Sequence, residues 1–221
     1  QEVGSALYVQ DEDWSIKTEK NKINYSSARS KWTLPLPNLL GDYQVNNCGL
    51  ALAALERCPS FVVSKQDISN GIQSTKWPGR MHRLMEGPLL TKLPNGYELW
   101  LDGGHNPHAG EALAKYISNS WQDKPFHMIC GMIKSKDCNG YLCAFANLAH
   151  SVQTVTIPNQ VSSIEALELT RIALKIGIKA TPTTSVKTAI HHLVSNYSYK
   201  EGRILICGSL YLAGVILQEN R

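Results

Sequence analysis

One stretch of the chain, residues 97–117, has the sequence pattern of a strand, a tight turn and a helix. Its first five residues are mostly aromatic and aliphatic, as in a short strand, and two glycines follow. Asn106 is a preferred N-cap residue, and Pro107 suits the first helical position because its missing N–H would have no partner there. Apolar residues then recur at helical spacing. We therefore predict a helix that begins at Pro107, with its positive end directed at the glycine turn.

The turn carries groups that suit an anionic ligand. A helix N-terminus offers unpaired N–H groups and a positive dipole end, and Gly103 and Gly104 let the backbone approach a ligand closely. Asp102 can accept bonds from sugar hydroxyls, and His105 can donate to a phosphate oxygen. From these residues alone, the simpler interpretation is that Asp102 ties down the turn and that His105 is a solvated loop residue.

Beyond residue 80, strand and helix patterns alternate along the chain. Strands are predicted within Met81–Leu93 and at Tyr97–Leu101, Pro125–Met132, Ser151–Ile157 and Arg203–Cys207. Helices are predicted from Pro107 and at Tyr141–His150, Ser162–Ile176, Ser185–Val194 and Leu210–Gln218. Such alternation predicts an α/β fold with a mostly parallel, Rossmann-like sheet and helices on both faces. Ligands of such sheets bind at the carboxyl ends of the strands, where Asp102, Gly131 and Gly208 are expected.

The first 80 residues have a different pattern. Short strands are predicted at Ala6–Gln10 and Lys31–Leu36, with too few apolar residues to form an independent sheet. Asp42–Cys58 is predicted to be a helix that is apolar almost all round, as in a helix buried between layers. The Trp, Pro and Gly of residues 75–79 predict a stiff hinge, where we place the domain boundary.

Composition limits the classes of protein to consider. The net charge of +4 over 221 residues includes no basic run, so no nucleic-acid partner is expected. The six cysteines show no C-x-x-C pair and the seven histidines no H-x-x-x-H pair, so no metal site is predicted in this chain. No apolar run approaches the roughly 20 residues of a membrane span, and no signal-peptide pattern opens the chain. We expect a monomeric protein of the cytoplasm.

Several motifs together resemble one family. L-D-G-G-H-N-P-H-A at residues 101–109 resembles the start of the C-terminal domain in folylpolyglutamate synthase and dihydrofolate synthase, which are members of the Mur ligase superfamily. W-P-G-R at residues 77–80 resembles the family's linker motif. G-M-I-K-S-K-D at residues 131–137 resembles the turn after its second strand, and G-S-L-Y-L at residues 208–212 its last strand-to-helix turn.

A further likeness lies in the helix that starts near residue 42. Y-Q-V-N-N resembles the family's H-x-x-x-N helix start, in which the Asn lies beside the nucleotide. Asn47 fits this pattern, whereas Tyr43 stands where the family usually has His. From the residues alone, Asn47 either faces a ligand or is bonded to the local backbone.

The resemblance implies a role for each candidate residue. Asp102 would bind ribose, and Arg80 and His105 would hold phosphate or the developing intermediate. All three are candidate catalytic residues by this resemblance. Nucleotide contacts would come from Asn47, Arg80, Asp102, Gly103 and Gly104. Lys134, Asp137 and Ser209 are candidates for substrate or loop contacts, with a solvated loop and a helix cap as the alternative interpretations.

The resemblance also implies a function, an ATP-dependent ligase that joins L-glutamate to dihydropteroate or a folate through an acyl phosphate. Residues 80–221 would form the Mur-ligase C-terminal domain, after a linker at 75–79 and the tail of the N-terminal ATPase domain at 1–74. The chain has no G-x-x-x-x-G-K-[ST] phosphate loop, and the ligands of Mg²⁺ are expected upstream, so we expect this chain to be inactive alone. The alternatives are a non-catalytic module that binds a nucleotide or a partner, a gene remnant, and another Mur-type amide ligase.

Overall fold

The computed structural model describes residues 4, 6–58, 60, 62–196 and 200–220. It divides the chain into two units, Gln1–Lys76 and Trp77–Arg221, so the division lies within the predicted linker of residues 75–79. The first unit has a sheet and one apolar core, and the second has a sheet and two apolar cores. The assignment of residues 1–74 to an ATPase domain stays a prediction.

The first unit is a three-stranded antiparallel sheet packed on two helices. Its elements are β1 (Trp14–Glu19), β2 (Lys22–Ser27), β3 (Lys31–Pro35), α1 (Asp42–Glu56) and α2 (Lys65–Ser74). The strand predicted at Ala6–Gln10 is wrong, because only an isolated bridge between Gln10 and Trp14 forms there. Each of β1 and β2 turns only two apolar residues inward, and Leu34 of β3 and the two helices supply the rest of the buried core.

Helix α1 is buried on one side only. Leu52 and Ala53 face the core of the first unit, whereas Leu50 is 59% exposed. The expectation of a helix buried between two layers is therefore wrong, because its sheet covers a single face.

The second unit contains a six-stranded sheet. Its strands are β4 (His82–Leu84), β5 (Tyr97–Leu101), β6 (Phe126–Cys130), β7 (Ser151–Val155), β8 (Ala180–Thr183) and β9 (Gly202–Cys207), in the order β4-β5-β9-β6-β7-β8. Its helices are α3 (Pro107–Ser120), α4 (Cys138–Cys143), α5 (Ala166–Lys175), α6 (Val186–Asn196) and α7 (Leu210–Glu219). Strand β4 pairs antiparallel with β5, and the other pairs are parallel. The prediction of a mostly parallel sheet is confirmed.

Alternate residues of the strands face two separate cores. On β9, Leu205 belongs to the core with residues of α3, α4 and α5, whereas Ile204 and Ile206 belong to the core with residues of α6 and α7. Strands β6 and β7 are buried along their whole length. These observations confirm the predicted helices on both faces, since a strand buried on both sides is typical of a parallel sheet.

Several predicted elements differ in extent. Met81–Leu93 holds only the short β4 and a 3₁₀ turn at Leu90–Lys92. Within Tyr141–His150 the α-helix stops at Cys143. Helix α5 begins at Ala166, because the amide of Ile164 donates to the Met132 carbonyl and keeps this segment extended. Strand β8 was missed because Pro182 and three small residues give no strand pattern, and an edge strand tolerates such a proline.

None of the helices in the described ranges combines the length and the apolar composition that crossing a bilayer requires.

A buried histidine on β6 makes stability depend on pH. His127 is 1% exposed, and its Nδ1 lies 2.9 Å from Ser151 Oγ. Burial, together with the charge of His150, lowers the pKa of His127 from 6.5 to about 4. Between these values the unfolded chain binds the extra proton, so the free energy of unfolding falls as the pH drops from 6.5 towards 4.

We therefore expect the change His127→Gln to flatten this pH dependence. The native protein should lose about 2 kcal/mol of stability through this group between about pH 7 and about pH 5, and the variant should lose less. Urea unfolding at the two pH values measures the difference. His191→Gln, at an exposed position of α6, is the matched control and should keep the native slope. An equal slope in His127→Gln and native protein would contradict the assignment.

Candidate functional site

Three strand ends meet at one edge of the sheet in the second unit. Strands β5, β9 and β6 are neighbours, and Asp102, Gly208 and Gly131 directly follow them. The amide of Asp102 donates to the Ile206 carbonyl at 2.9 Å, and that of Gly131 donates to the Cys207 carbonyl at 3.1 Å. The predicted positions of these three residues at strand ends are confirmed.

The turn after β9 requires glycine. Gly208 has φ +99°, and a Cβ atom added there would lie 2.8 Å from the carbonyl oxygen of Gly131. The next residue, Ser209, is 3% exposed and caps α7 by accepting the amide of Tyr211 at 3.1 Å. The structure thus gives Ser209 the capping role, and a substrate contact stays a prediction.

The turn after β5 leads into α3 as the sequence predicts. Helix α3 begins at Pro107, and the side chain of Asn106 caps it by accepting the amide of Ala109 at 2.8 Å. A Cβ atom added at Gly104 would lie 3.3 Å from Ala109 Cβ, so the turn packs closely on the first turn of the helix. The positive end of α3 therefore lies at the glycine turn.

Asp102 is almost fully buried behind this turn. The side chain is 2% exposed, and its Oδ1 accepts the amide of Gly104 at 2.6 Å while Oδ2 accepts the amide of Met81 at 2.8 Å. Burial raises the pKa of the Asp102 carboxyl, although the two amide bonds and the charges of Arg80 and His105 act in the opposite direction. The structure therefore shows an aspartate that ties down the turn, whereas its contact with ribose stays a prediction.

The W-P-G-R segment lies beside the same turn. The amide of Arg80 donates to the Trp77 carbonyl at 3.1 Å, and Gly79 has φ +80°, as expected for a type II turn with Pro at its second position. The carbonyl of Gly79 accepts the amide of Gly103 at 2.7 Å. This backbone bond joins the segment to the glycine turn.

The structure brings Arg80 and His105 to the neighbourhood of Asp102, because Met81 and Gly104, the residues next to them in the chain, both donate their amides to its carboxylate. Arg80 is half-buried, and none of the ion pairs among the described residues involves its guanidinium. His105 is half-buried, and its Nδ1 lies 2.9 Å from the Gly103 carbonyl oxygen. The result is two basic side chains at the positive end of a helix, a combination that suits an anion.

The structure shows contacts within the second unit for two of the other candidates. Lys134 is exposed, and its amide donates to the Ser162 carbonyl at 2.8 Å. Asp137 is exposed and caps α4 by accepting the amide of Gly140 at 2.8 Å. Ligand roles for Lys134 and Asp137 stay predictions.

Asn47 belongs to the first unit. It is exposed on α1, and its Nδ2 donates to Gln44 Oε1 at 3.0 Å. The sequence interpretation offered a bond to the local backbone as the alternative to a ligand contact. The structure shows instead a bond to a side chain one turn earlier in the helix. A nucleotide contact of Asn47 stays a prediction.

Three residues of this corner were missed by the sequence interpretation. Gly79 accepts the bond from Gly103, Met81 donates to Asp102, and Leu210 packs so closely on Gly103 that a Cβ atom there would lie within 3.2 Å of Leu210 Cγ. The Pro-Gly pair was a usable signal for the turn at Gly79. No local signal marks Met81 or Leu210, because their contacts join segments far apart in the sequence.

Within the described parts of the chain, no three or more His, Cys, Asp and Glu side chains are placed to hold a metal ion.

A known protein family matches most of the second unit. The sequence profile described as "Dihydrofolate synthetase, C-terminal domain" matches residues 90–219, which is more than half of the 221 residues. The chain belongs to this family. The matched region includes the glycine turn, α3 and the last strand-to-helix turn of the second unit.

Individual relatives agree with this assignment. A probable dihydrofolate synthetase of Schizosaccharomyces pombe is 25% identical over 206 residues, which are 84% of this chain and 47% of that protein. The structure of E. coli FolC in complex with DHPP and ADP has a TM-score of 0.79 at 24% identity, and the match covers 97% of this chain and 47% of that one.

A second solved structure is a bifunctional folylpolyglutamate synthase/dihydrofolate synthase with Mn, AMPPNP and L-glutamate bound. Its TM-score is 0.78 at 24% identity, and the match covers 98% of this chain and 48% of that one. The two structures show the shared fold. The chain spans about half the length of the relatives that it matches.

The tight packing of the turns can be tested with two glycines of the same region. We expect Gly208→Ala to lower the free energy of unfolding by about 2 kcal/mol or more, because φ is positive there and the added methyl group meets a backbone oxygen. Gly214→Ala, inside α7, has no heavy atom within 4 Å of the added Cβ and should raise stability by about 0.5–1 kcal/mol. Denaturant unfolding of both variants measures the opposite signs. Equal effects would contradict the packing at Gly208.

Proposed function

We propose that this chain is part of an ATP-dependent ligase that joins L-glutamate to dihydropteroate or a folate. Membership of the dihydrofolate synthetase C-terminal domain family supports this proposal. The names of the relatives, and the ADP, AMPPNP and L-glutamate bound in the two similar structures, support the substrate classes. Because the chain spans about half of these relatives, the proposal concerns the activity of the whole protein.

The observation that carries the proposal is Arg80 at the glycine turn. A guanidinium can hold phosphate oxygens with two parallel bonds, and Arg80 is half-buried with no ion-pair partner among the described residues. The start of α3 adds N–H groups and a positive dipole end. We therefore assign the phosphates of ATP, or those of the intermediate, to this corner.

The reaction would proceed in two steps. A carboxylate oxygen of the pteroate or folate attacks the γ-phosphorus of ATP, which gives an acyl phosphate and releases ADP. The amine of L-glutamate then attacks the acyl carbon, so that an amide bond forms and inorganic phosphate leaves. Arg80 would stabilise the negative charge on the transferred phosphoryl group, and burial of the reacting atoms would protect the acyl phosphate from water.

His105 would contribute a second donor. A carbonyl oxygen only accepts hydrogen bonds, so the contact with Gly103 places a proton on Nδ1 of His105. A proton on Nε2 as well would let the ring donate to a phosphate oxygen. His105 would then be a second donor beside Arg80.

Other parts of the proposal concern residues outside this corner. Mg²⁺ would be held by ligands that lie outside the described residues. The described residues themselves contain no group of three or more His, Cys, Asp and Glu side chains that could hold a metal ion. Asn47 is proposed as a contact of the nucleotide and residues 1–74 as the tail of an ATPase domain, and the whole protein is proposed to be a monomer.

The central test is ligase activity of the whole protein with ATP, L-glutamate and either dihydropteroate or tetrahydrofolate. We expect Arg80→Ala to lower kcat/KM by about 10²–10³-fold, because a donor to the developing phosphoryl charge is lost. Arg171→Ala, at an exposed position of α5, is the matched control and should keep native activity. ADP release dependent on glutamate measures the rate. Native activity in Arg80→Ala would refute the assignment.

The same assay applies to the 221-residue chain by itself. We expect no release of ADP that depends on glutamate, because the chain lacks a G-x-x-x-x-G-K-[ST] phosphate loop. Robust release from this chain alone would contradict the proposed dependence on the rest of the protein.

A further inference from the structure

The backbone around Arg80 is tied to the D-G-G turn on both sides. On one side, the carbonyl of Gly79 accepts the amide of Gly103 at 2.7 Å. On the other side, the amide of Met81 donates to Asp102 Oδ2 at 2.8 Å. Arg80 is therefore the single residue between two anchors, and both anchors lie on consecutive residues of the same turn.

Met81 is held in an unusual conformation. Its φ is +40°, a region that residues with a side chain rarely adopt, and its side chain is 3% exposed. Such a conformation persists only where the surroundings impose it. The bond to Asp102 and the burial of the Met81 side chain provide that constraint, and together they fix the direction in which the chain leaves Arg80.

The carboxylate of Asp102 is suited to this task. Its two oxygens accept amides from two different segments: Oδ2 accepts the amide of Met81, and Oδ1 accepts the amide of Gly104. Asp102 is 2% exposed. An amide side chain at this position would offer one accepting oxygen and one NH₂ group, so one backbone amide would face another donor. A buried donor without an acceptor is costly. The geometry thus depends on a group that accepts twice.

We propose that Asp102 is a positioning residue that acts through Arg80. Its carboxylate fixes the residue after Arg80 to the glycine turn and so sets where the guanidinium lies at the edge of the sheet. The proposal deepens the proposed function, and it rests on that function wherever nucleotide binding is concerned. It differs from a direct contact between Asp102 and ribose, because the effect of Asp102 on the nucleotide would require Arg80.

The first test needs no ligand. In Asp102→Asn, we expect backbone NMR relaxation to show increased mobility of the Arg80 and Met81 amides, while the amides of the sheet stay rigid. Asp137→Asn is the matched control, since Asp137 also accepts a backbone amide but caps α4; it should leave Arg80 unchanged. Unchanged order at Arg80 in Asp102→Asn would overturn the proposal.

If Asp102→Asn does not fold, hydrogen exchange of the unaltered chain tests the proposal in place of the relaxation experiment. We expect the Met81 amide to be protected, although it lies outside the regular strands and helices, because it donates to a buried carboxylate. Exchange of the Met81 amide at the rate of an unstructured peptide would overturn the proposal.

The second test measures ADP binding by the whole protein, in a cycle of Asp102→Asn, Arg80→Ala and the double variant. If Asp102 acts through Arg80, Asp102→Asn should weaken ADP binding about tenfold alone and cause no further loss when Arg80 is already Ala. Independent, additive losses would overturn the proposal.

Deoxynucleotides separate positioning from a ribose contact. We consider the affinity for 2′-deoxy-ADP or for 3′-deoxy-ADP divided by the affinity for ADP. This ratio should be the same in native protein and in Asp102→Asn. A ratio that approaches one only in Asp102→Asn would indicate a lost contact with a ribose hydroxyl and overturn the proposal. If the unaltered protein binds no ADP, the proposed nucleotide function fails, and the relaxation experiment still decides whether Asp102 positions Arg80.

Discussion

The buried carboxylate of Asp102 joins the two loops on which the candidate site depends. A charged group that is 2% exposed must be compensated by hydrogen bonds, and the amides of Met81 and Gly104 provide them. These same bonds fix the W-P-G-R loop to the glycine turn. The electrostatic requirement of one side chain thereby determines the backbone geometry of two segments that lie about 20 residues apart in the sequence.

The topology of the sheet explains how these loops meet. Strand β4 pairs antiparallel with β5, and His82 lies opposite Leu101. The residues that precede β4 therefore arrive at the carboxyl end of β5, the edge at which ligands of parallel sheets bind. An antiparallel edge strand thus delivers Arg80 to the edge where β5, β9 and β6 end. Because β4 and β5 run antiparallel, an arginine that precedes β4 in the chain can belong to the site.

The sequence predicts those features that depend on local interactions. The start of α3 follows from Asn106 and Pro107, which act within one helical turn, and the parallel sheet follows from the alternation of elements. Features that depend on distant partners were missed or wrong. Strand β8 is held by pairing with β7 rather than by apolar residues, and the role of the Asp102 carboxylate depends on Met81, whose conformation has no local signal.

The charges at this corner favour an anion because the acid and the bases have different exposure. Asp102 is enclosed, and backbone amides already occupy one position on each of its oxygens. Arg80 and His105 are half-buried at the same corner, so they retain access to a ligand. A negative ligand therefore meets two basic side chains and the positive end of α3, while the carboxylate lies behind the turn. Because the acid is buried, it can fix the loops while competing less with an anionic ligand for the two basic side chains.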